Sequence, residues 1–463
     1  GVQTCALPIY RTGPHGTAVA EIIHEMAPDA TIYIAQAQSG PELAAAAEWM
    51  IEEDVDIINY SAGNIFMPPN NTTPLSQMVS LINDEGVLWV SSSGNQAESH
   101  LIMEFTDTDG NGVHEFPNGD EYFALAPFEG VPDIALGLSW EDSWGRAEED
   151  FDFFLLQENA AGNDLELVDS SRELQDGSRG SFPVEGFESE LDDQVYYIAI
   201  TSDGGREGTL MNLIGYNLEF QYSMPEYSVT VPGDSPDSLT VGATFWSDDA
   251  LEPYSSQGPT MDNRDKPDIS APAGVSSTVY GGPFYGTSAS APHVAGAAAL
   301  ILQANPSMSN YDLRNYLIAT AVDLGPSGFD MGFGHGRLDL NNLAEEGGGT
   351  TPAPPKTNAP SGDVPIELFY VFDDHNIEQG GKNGMVIETS LLIAEHRDYD
   401  GTTGSIRTEV NDESGDVLAS MDADWEIQSG EPFLPLIEQF FAYDDFLLPN
   451  GSHDLSYTVY LLN

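Results

Sequence analysis

Ser288 stands in the run Gly286-Thr287-Ser288-Ala289-Ser290-Ala291-Pro292-His293, where a glycine-flanked loop enters an alanine-rich stretch. A serine hydroxyl is a weak nucleophile near neutral pH, so attack on a carbonyl needs a neighbouring base and donors for the oxyanion that forms. At a helix start, the hydroxyl and its backbone N–H both face the positive end of the helix dipole, which favours developing negative charge. Two further runs carry groups of the required types. His15-Gly16-Thr17-Ala18-Val19-Ala20 offers a base, and Ser93-Gly94-Asn95 offers a side-chain amide. Two other histidines are poorly placed to act as the base. His293 follows Ser288 by five residues on the same helix and points away from the hydroxyl, and His24, nine beyond His15, falls on the opposite helix face.

These three runs, in the order His, Asn, Ser, resemble the motifs of the subtilases. The resemblance implies a serine endopeptidase that hydrolyses peptide bonds of proteins through an acyl-enzyme and requires no cofactor. Ser288 would be the nucleophile and His15 the general base and then acid, with the Asn95 amide joining the Ser288 N–H as the oxyanion hole. Ser61-Ala62-Gly63 matches the family segment that pairs with the substrate backbone as an added strand and walls the first specificity pocket. Its small residues leave room for a large apolar or aromatic substrate side chain. Sedolisins share Gly-Thr-Ser-Ala-Ser but carry glutamate where this chain has His15, and an α/β-hydrolase elbow would need glycine at 290, where Ser290 stands.

The family triad also needs an aspartate on a strand upstream of the histidine, and none of the fourteen residues before His15 is Asp. Val2-Gln3-Thr4-Cys5-Ala6-Leu7-Pro8-Ile9 resembles the in-frame translation of a sequencing-library adapter, so residues 1–9 read as a cloning or assembly remnant and not as part of the fold. The other reading of this run is an apolar strand. If it is a remnant, the aspartate strand was lost by truncation, together with the signal and propeptide of a secreted enzyme. If not, the chain is a catalytically silent subtilase-fold protein used for binding or adhesion.

The elements that must position these groups follow from hydrophobic periodicity. Helices are predicted near 16–26, 41–53, 74–84, 287–304 and 309–321, alternating with short apolar runs at 31–35, 55–60, 87–91 and 238–243 that suit strands buried on both faces. This is an α/β, doubly wound parallel-sheet pattern, split into residues 10–98 and 236–345. Between them, residues 99–235 show strand alternation, as in Asp150-Phe151-Asp152-Phe153, and predict an inserted β-sandwich of jelly-roll kind. The insert is expected to narrow access and favour extended or unfolded substrates. Residues 346–362 read as a glycine and proline-rich linker, and 363–463 as a C-terminal all-β domain.

Charge narrows the partners. The chain has 76 acidic and 13 basic residues, a formal net charge of −63, and its lysines are Lys266, Lys356 and Lys382. Nucleic acid and anionic membranes are poor partners for such a surface, which leaves protein or peptide substrates. Self-repulsion of this size is screened at molar salt, where the Debye length is about 3 Å; a saline habitat and ordinary secreted acidity both fit. No run of 18 apolar residues occurs that could span a bilayer. Oligomeric state is not encoded in any of these features. Asp107, Asp109 and Asn111 have the spacing of a calcium loop, with Gly112 as its turn glycine, but position twelve is Asn118 instead of glutamate. A structural calcium and an acidic surface turn are both compatible with that run.

Overall fold

The computed structural model describes residues 14–341, apart from 38, 160, 163 and 203–205, together with the backbone of strand Gln3–Leu7 and of six strands between 366 and 462. In chain order it begins β1 (Gln3–Leu7), α1 (His15–Met26), β2 (Thr31–Ile34), α2 (Gly40–Glu52), β3 (Ile57–Tyr60), α3 (Pro74–Asp84) and β4 (Leu88–Ser92). Nine strands follow: β5 (His100–Glu104), β6 (Phe123–Pro127), β7 (Asp133–Trp140), β8 (Phe151–Glu158), β9 (Leu165–Ser171), β10 (Val184–Glu190), β11 (Tyr196–Ser202), β12 (Leu210–Tyr216) and β13 (Leu218–Phe220). The chain then forms β14 (Leu239–Phe245), β15 (Ile269–Ala273), the hairpin β16 (Val275–Ser277) and β17 (Gly282–Phe284), and the helices α4 (Thr287–Ala304) and α5 (Asn310–Ala319). It divides into two units, residues 1–37 with 53–348, and residues 38–52 with 349–463.

The first unit is built on a parallel sheet of order β15-β14-β4-β3-β1-β2. Strands β3 and β4 are buried along their whole length, as suits mainly apolar runs covered on both faces, with Asn59, Ser91 and Ser92 as their buried polar residues. Residues 3–7, expected to belong to a remnant, pair as a strand between β2 and β3. Helix α1 buries Ala18, Val19, Ile22 and Ile23. It runs alongside α4, where a side chain at Gly296 would come within 2.5 Å of the Met26 Cβ. Glycine at that position lets the two backbones approach closely. His15 and Ser288 thereby begin two neighbouring helices at the same end.

The segment between β4 and β14 departs from this plan, as its alternating pattern requires. It forms antiparallel sheets of order β10-β7-β12-β5 and β13-β6-β11-β8-β9. Their inward side chains share one core, in which Leu101, Leu136 and Leu213 of the first sheet join Phe123, Phe153 and Ile198 of the second. The last strand of these sheets ends at Phe220, earlier than the expected boundary at 235. By Thr230, whose N–H donates to Ser93 O at 2.9 Å, and by Val231, whose carbonyl accepts from Asn64 N at 2.8 Å, the chain is bonded back to the ends of β3 and β4.

The second unit contains α2 and six strands, β18 (Ile366–Gln379), β19 (Lys382–Ile393), β20 (Thr403–Asn411), β21 (Val417–Glu426), β22 (Ile437–Ala442) and β23 (Ser456–Leu462). These pair antiparallel in two sheets of order β18-β19-β22 and β21-β20-β23. The expected linker at 346–362 lies outside the described residues.

Candidate active site

Ser288 is the second residue of α4, one position after Thr287. Gly286 precedes the helix with φ +98°, a left-handed conformation that favours glycine, and a side chain there would meet Asn95 Nδ2 at 3.0 Å. The first N–H groups of a helix have no intrahelical acceptor. Here Thr287 N donates to Asn95 Oδ1 at 2.9 Å and Ala289 N to Gly286 O at 2.9 Å, whereas Ser288 N meets no acceptor among the described residues. Asn95 Oδ1 also accepts from Thr287 Oγ1 at 2.9 Å, so both bonds fall on the amide oxygen. The Asn95 NH₂ group is left as a donor at the mouth of the helix, beside the uncommitted N–H of Ser288. Two donors converging next to a hydroxyl can stabilise an oxyanion.

Pro292, four residues after Ser288, accounts for a second feature. A proline has no N–H, so the Ser288 carbonyl lacks the donor that residue i+4 of a helix would supply. Ser61 Oγ fills the place, donating to Ser288 O at 3.0 Å while accepting from Asn59 Nδ2 at 3.0 Å. Ser61 is fully buried, and its own carbonyl accepts from Ser288 Oγ at 3.1 Å. All three residues expected to contact substrate, Ser61, Ala62 and Gly63, line the cleft, and Ser61 also holds the serine turn through its side chain. Sequence reading missed Asn59, Thr287 and the part played by Pro292. The proline at i+4 was the available signal that a partner must come from outside the helix.

His15 opens α1 and packs edge-on against Phe284, with ring centroids 5.5 Å apart. Burial depresses its pKa to about 4, so the ring is neutral at pH 7, as a base must be. Its Nδ1 is buried without a hydrogen-bond partner among the described residues. His15 and Ser288 line the same cleft, yet the Ser288 hydroxyl is directed to Ser61 O, and no hydrogen bond joins it to His15. The two rival histidines lie elsewhere. His293 Nδ1 donates back to Ala289 O at 2.8 Å within its own helix, and His24 is exposed.

The cleft has a volume of about 1110 Å³ and runs beyond the serine to the inserted strands, where Ile134, Glu188 and Tyr216 line it. The loop at Asp107, Asp109 and Asn111 lies apart from it. Both Asp107 oxygens accept backbone N–H groups, from Gly110 and Asn111 on one side and Gly112 on the other. Asp109 Oδ1 and Asn111 Oδ1 likewise accept from the backbone of residues 111 and 113. Among the described residues no three His, Cys, Asp or Glu side chains gather where they could hold a metal ion.

Comparison with known proteins gives this geometry a family. The sequence profile of the subtilase family matches residues 8–117 and 160–336, more than half of the chain. The minor extracellular protease Vpr of Bacillus subtilis is 26% identical over 360 residues, covering 68% of this chain and 42% of that protein. Bacillopeptidase F of the same organism is 37% identical over 121 residues, covering 24% of this chain and 8% of that protein. The chain thus spans less than half the length of either relative. Among solved structures, the Clostridium perfringens CspB protease superposes with a TM-score of 0.52 at 16% identity, over 72% of this chain and 79% of that one, which is a likeness of fold. No helix among the described residues is long and apolar enough to cross a membrane. The chain belongs to the subtilase family.

Proposed function

We propose that the parent of this chain is a secreted serine endopeptidase, with Ser288 as acyl-enzyme nucleophile, His15 as base and Asn95 as an oxyanion donor. The observation that carries the reading is the oriented Asn95 amide beside the unpaired Ser288 N–H at the start of α4. A fold without catalysis has no physical need to hold two donors next to a serine hydroxyl. In the acylation step the Ser288 hydroxyl turns from Ser61 O to His15 Nε2, and its oxygen attacks the peptide carbonyl as the ring takes the proton. The tetrahedral oxyanion is met by Asn95 Nδ2 and the Ser288 N–H. Collapse expels the amine, which receives the proton back from His15, and water repeats the sequence on the ester.

The buried, partnerless Nδ1 of His15 supports a place for the triad aspartate, whose carboxylate would accept that N–H. Within the same proposal, the antiparallel sheets from 99 to 235 form an inserted β-sandwich, the strands after 363 a C-terminal β domain, and the enzyme acts on proteins or peptides without a cofactor. The Ser288 hydroxyl, bonded to Ser61 O and not to His15, favours the second reading, a catalytically silent member used for binding. Labelling by a fluorophosphonate separates the two. In the chain extended by its own upstream coding sequence, Ser288 should be modified and Ser288→Ala should not; absence of labelling at every pH from 4 to 10 would exclude the peptidase.

A further inference from the structure

The cleft that holds Ser288 is closed on its far side by the inserted strands, and the manner of docking is specific. Ile65 and Phe66, directly after the segment at 61–63, pack on the outer face of the sheet containing β7 and β10, forming a small apolar contact with Ala135 and Ile214. Two glycines make room for it. A side chain at Gly137 would fall 2.3 Å from Ile65 O, and one at Gly186 would fall 2.6 Å from the Phe66 ring. Side chains alternate along a strand, so Glu188 and Glu190 share the face of Gly186. The contact that seats the insert therefore turns these two carboxylates toward the cleft.

Three carboxylates line the cleft, those of Asp133, Glu188 and Glu190, and all come from the insert, with Glu190 directly opposite Asp133 in the β10–β7 register. Among the described residues, no lysine or arginine lines the cleft, and no ion pair engages Glu188 or Glu190. A second feature of the same cleft points to the same ligand chemistry. Tyr216, Tyr280 and Tyr285 line it with 52%, 43% and 50% of their surface exposed, so aromatic faces are available within the cleft. Aromatic faces beside carboxylates suit a side chain with an apolar stem and a cationic head.

We infer that the insert makes this cleft selective for lysine or arginine side chains in the peptide, with Glu188 and Glu190 as specificity-determining residues. This rests on reading the cleft as a peptide site, and it replaces the apolar preference that the small residues at 61–63 imply. The local carboxylates, and not the field of the whole acidic surface, provide the discrimination. Distant charges are screened within about 8–10 Å at physiological salt, whereas a pair at contact is screened much less.

The test uses binding, so that it does not depend on turnover. Fluorescein-labelled alanine hexapeptides, with one lysine walked through the six positions, are titrated into the protein as it stands, alongside counterparts carrying Nε-acetyl-lysine. Anisotropy should show at least one lysyl peptide binding about 10-fold more tightly than its acetylated partner, from two carboxylates worth roughly 3-fold each. In E188Q/E190Q that ratio should fall to about 2 or below. In E166Q, on strand β9 and outside the cleft lining, it should be unchanged. Equal affinities at all six positions, no binding of any peptide at 1 mM, or an equal loss in E166Q would overturn the inference. Fluorophosphonate labelling of the upstream-extended chain is read separately: a silent serine with the lysine preference intact removes the peptidase reading alone, and labelling without the preference removes this one.

Discussion

Asn95 offers a catalytic donor only if its amide is held one way round, and Thr287 is the residue that holds it. Thr287 Oγ1 and Thr287 N both donate to Asn95 Oδ1 at 2.9 Å, and Thr287 Oγ1 also accepts from Gly94 N at 3.2 Å. Thr287→Val preserves shape and the backbone bond but removes one of the two anchors. A net hydrogen bond is worth about 0.5–1.5 kcal/mol, or roughly 2- to 12-fold in rate if the whole of it is needed to orient the donor. Asn95→Leu removes the donor itself, for which the matching residue of subtilisin sets a scale of about 10²–10³-fold. The assay is the second-order rate of fluorophosphonate labelling in the upstream-extended chain, since the phosphonyl oxygen occupies the oxyanion position. Thr287→Val should slow labelling about 5-fold. The double variant should be no slower than Asn95→Leu alone, because Thr287 acts through Asn95. Additive losses would refute the argument and assign Thr287 to supporting the Gly94 turn.

Three further outcomes follow from buried ionisable groups. Lys266 is 2% exposed, and its ammonium donates to Ser238 O and Asp268 Oδ2 at 2.7 Å and to Thr240 Oγ1 at 3.1 Å, while Arg314 holds the other Asp268 oxygen at 2.6 Å. Lys266→Met breaks that cluster from one side and should cost about 3–5 kcal/mol in denaturant unfolding of the first unit, where an exposed-lysine change would cost almost nothing. His114, fully buried against Phe105 and Phe116, has its pKa pushed down to about 4 by burial. The unfolded chain therefore binds a proton that the folded chain refuses between pH 6.5 and 4, and stability falls as pH drops through that window by up to about 3 kcal/mol. Glu185, raised to about 7 by burial, works in the opposite sense, contributing stability below pH 4.5 that is lost as pH rises to 7. His114→Phe should flatten the acid limb of the unfolding profile and Glu185→Gln the neutral limb; unchanged profiles would disprove the assignments.

The sequence alone determined the parts that depend on local chemistry. Helix and strand periods marked α1, α3, α4 and the strands β2, β3, β4 and β14 to within a few residues, because each carries its burial pattern in its own spacing, whereas β1 was expected to be a remnant and β15 was not marked. The motifs around His15, Asn95 and Ser288 were legible for the same reason: a helix start, a glycine at positive φ and an amide after a strand are short-range arrangements. Tertiary structure decided what depends on distant residues meeting. The bond from the Ser61 hydroxyl to the Ser288 carbonyl arises only because Pro292, 231 positions away, leaves that carbonyl without its helical donor. Thr287 reads as helix-start composition until Asn95 comes within hydrogen-bond reach. The cleft wall reads as part of a separate module until Gly137 and Gly186 admit Ile65 and Phe66. In each case the deciding quantity is an unsatisfied polar group or a missing side-chain volume, and its partner is supplied only when the chain folds back on itself.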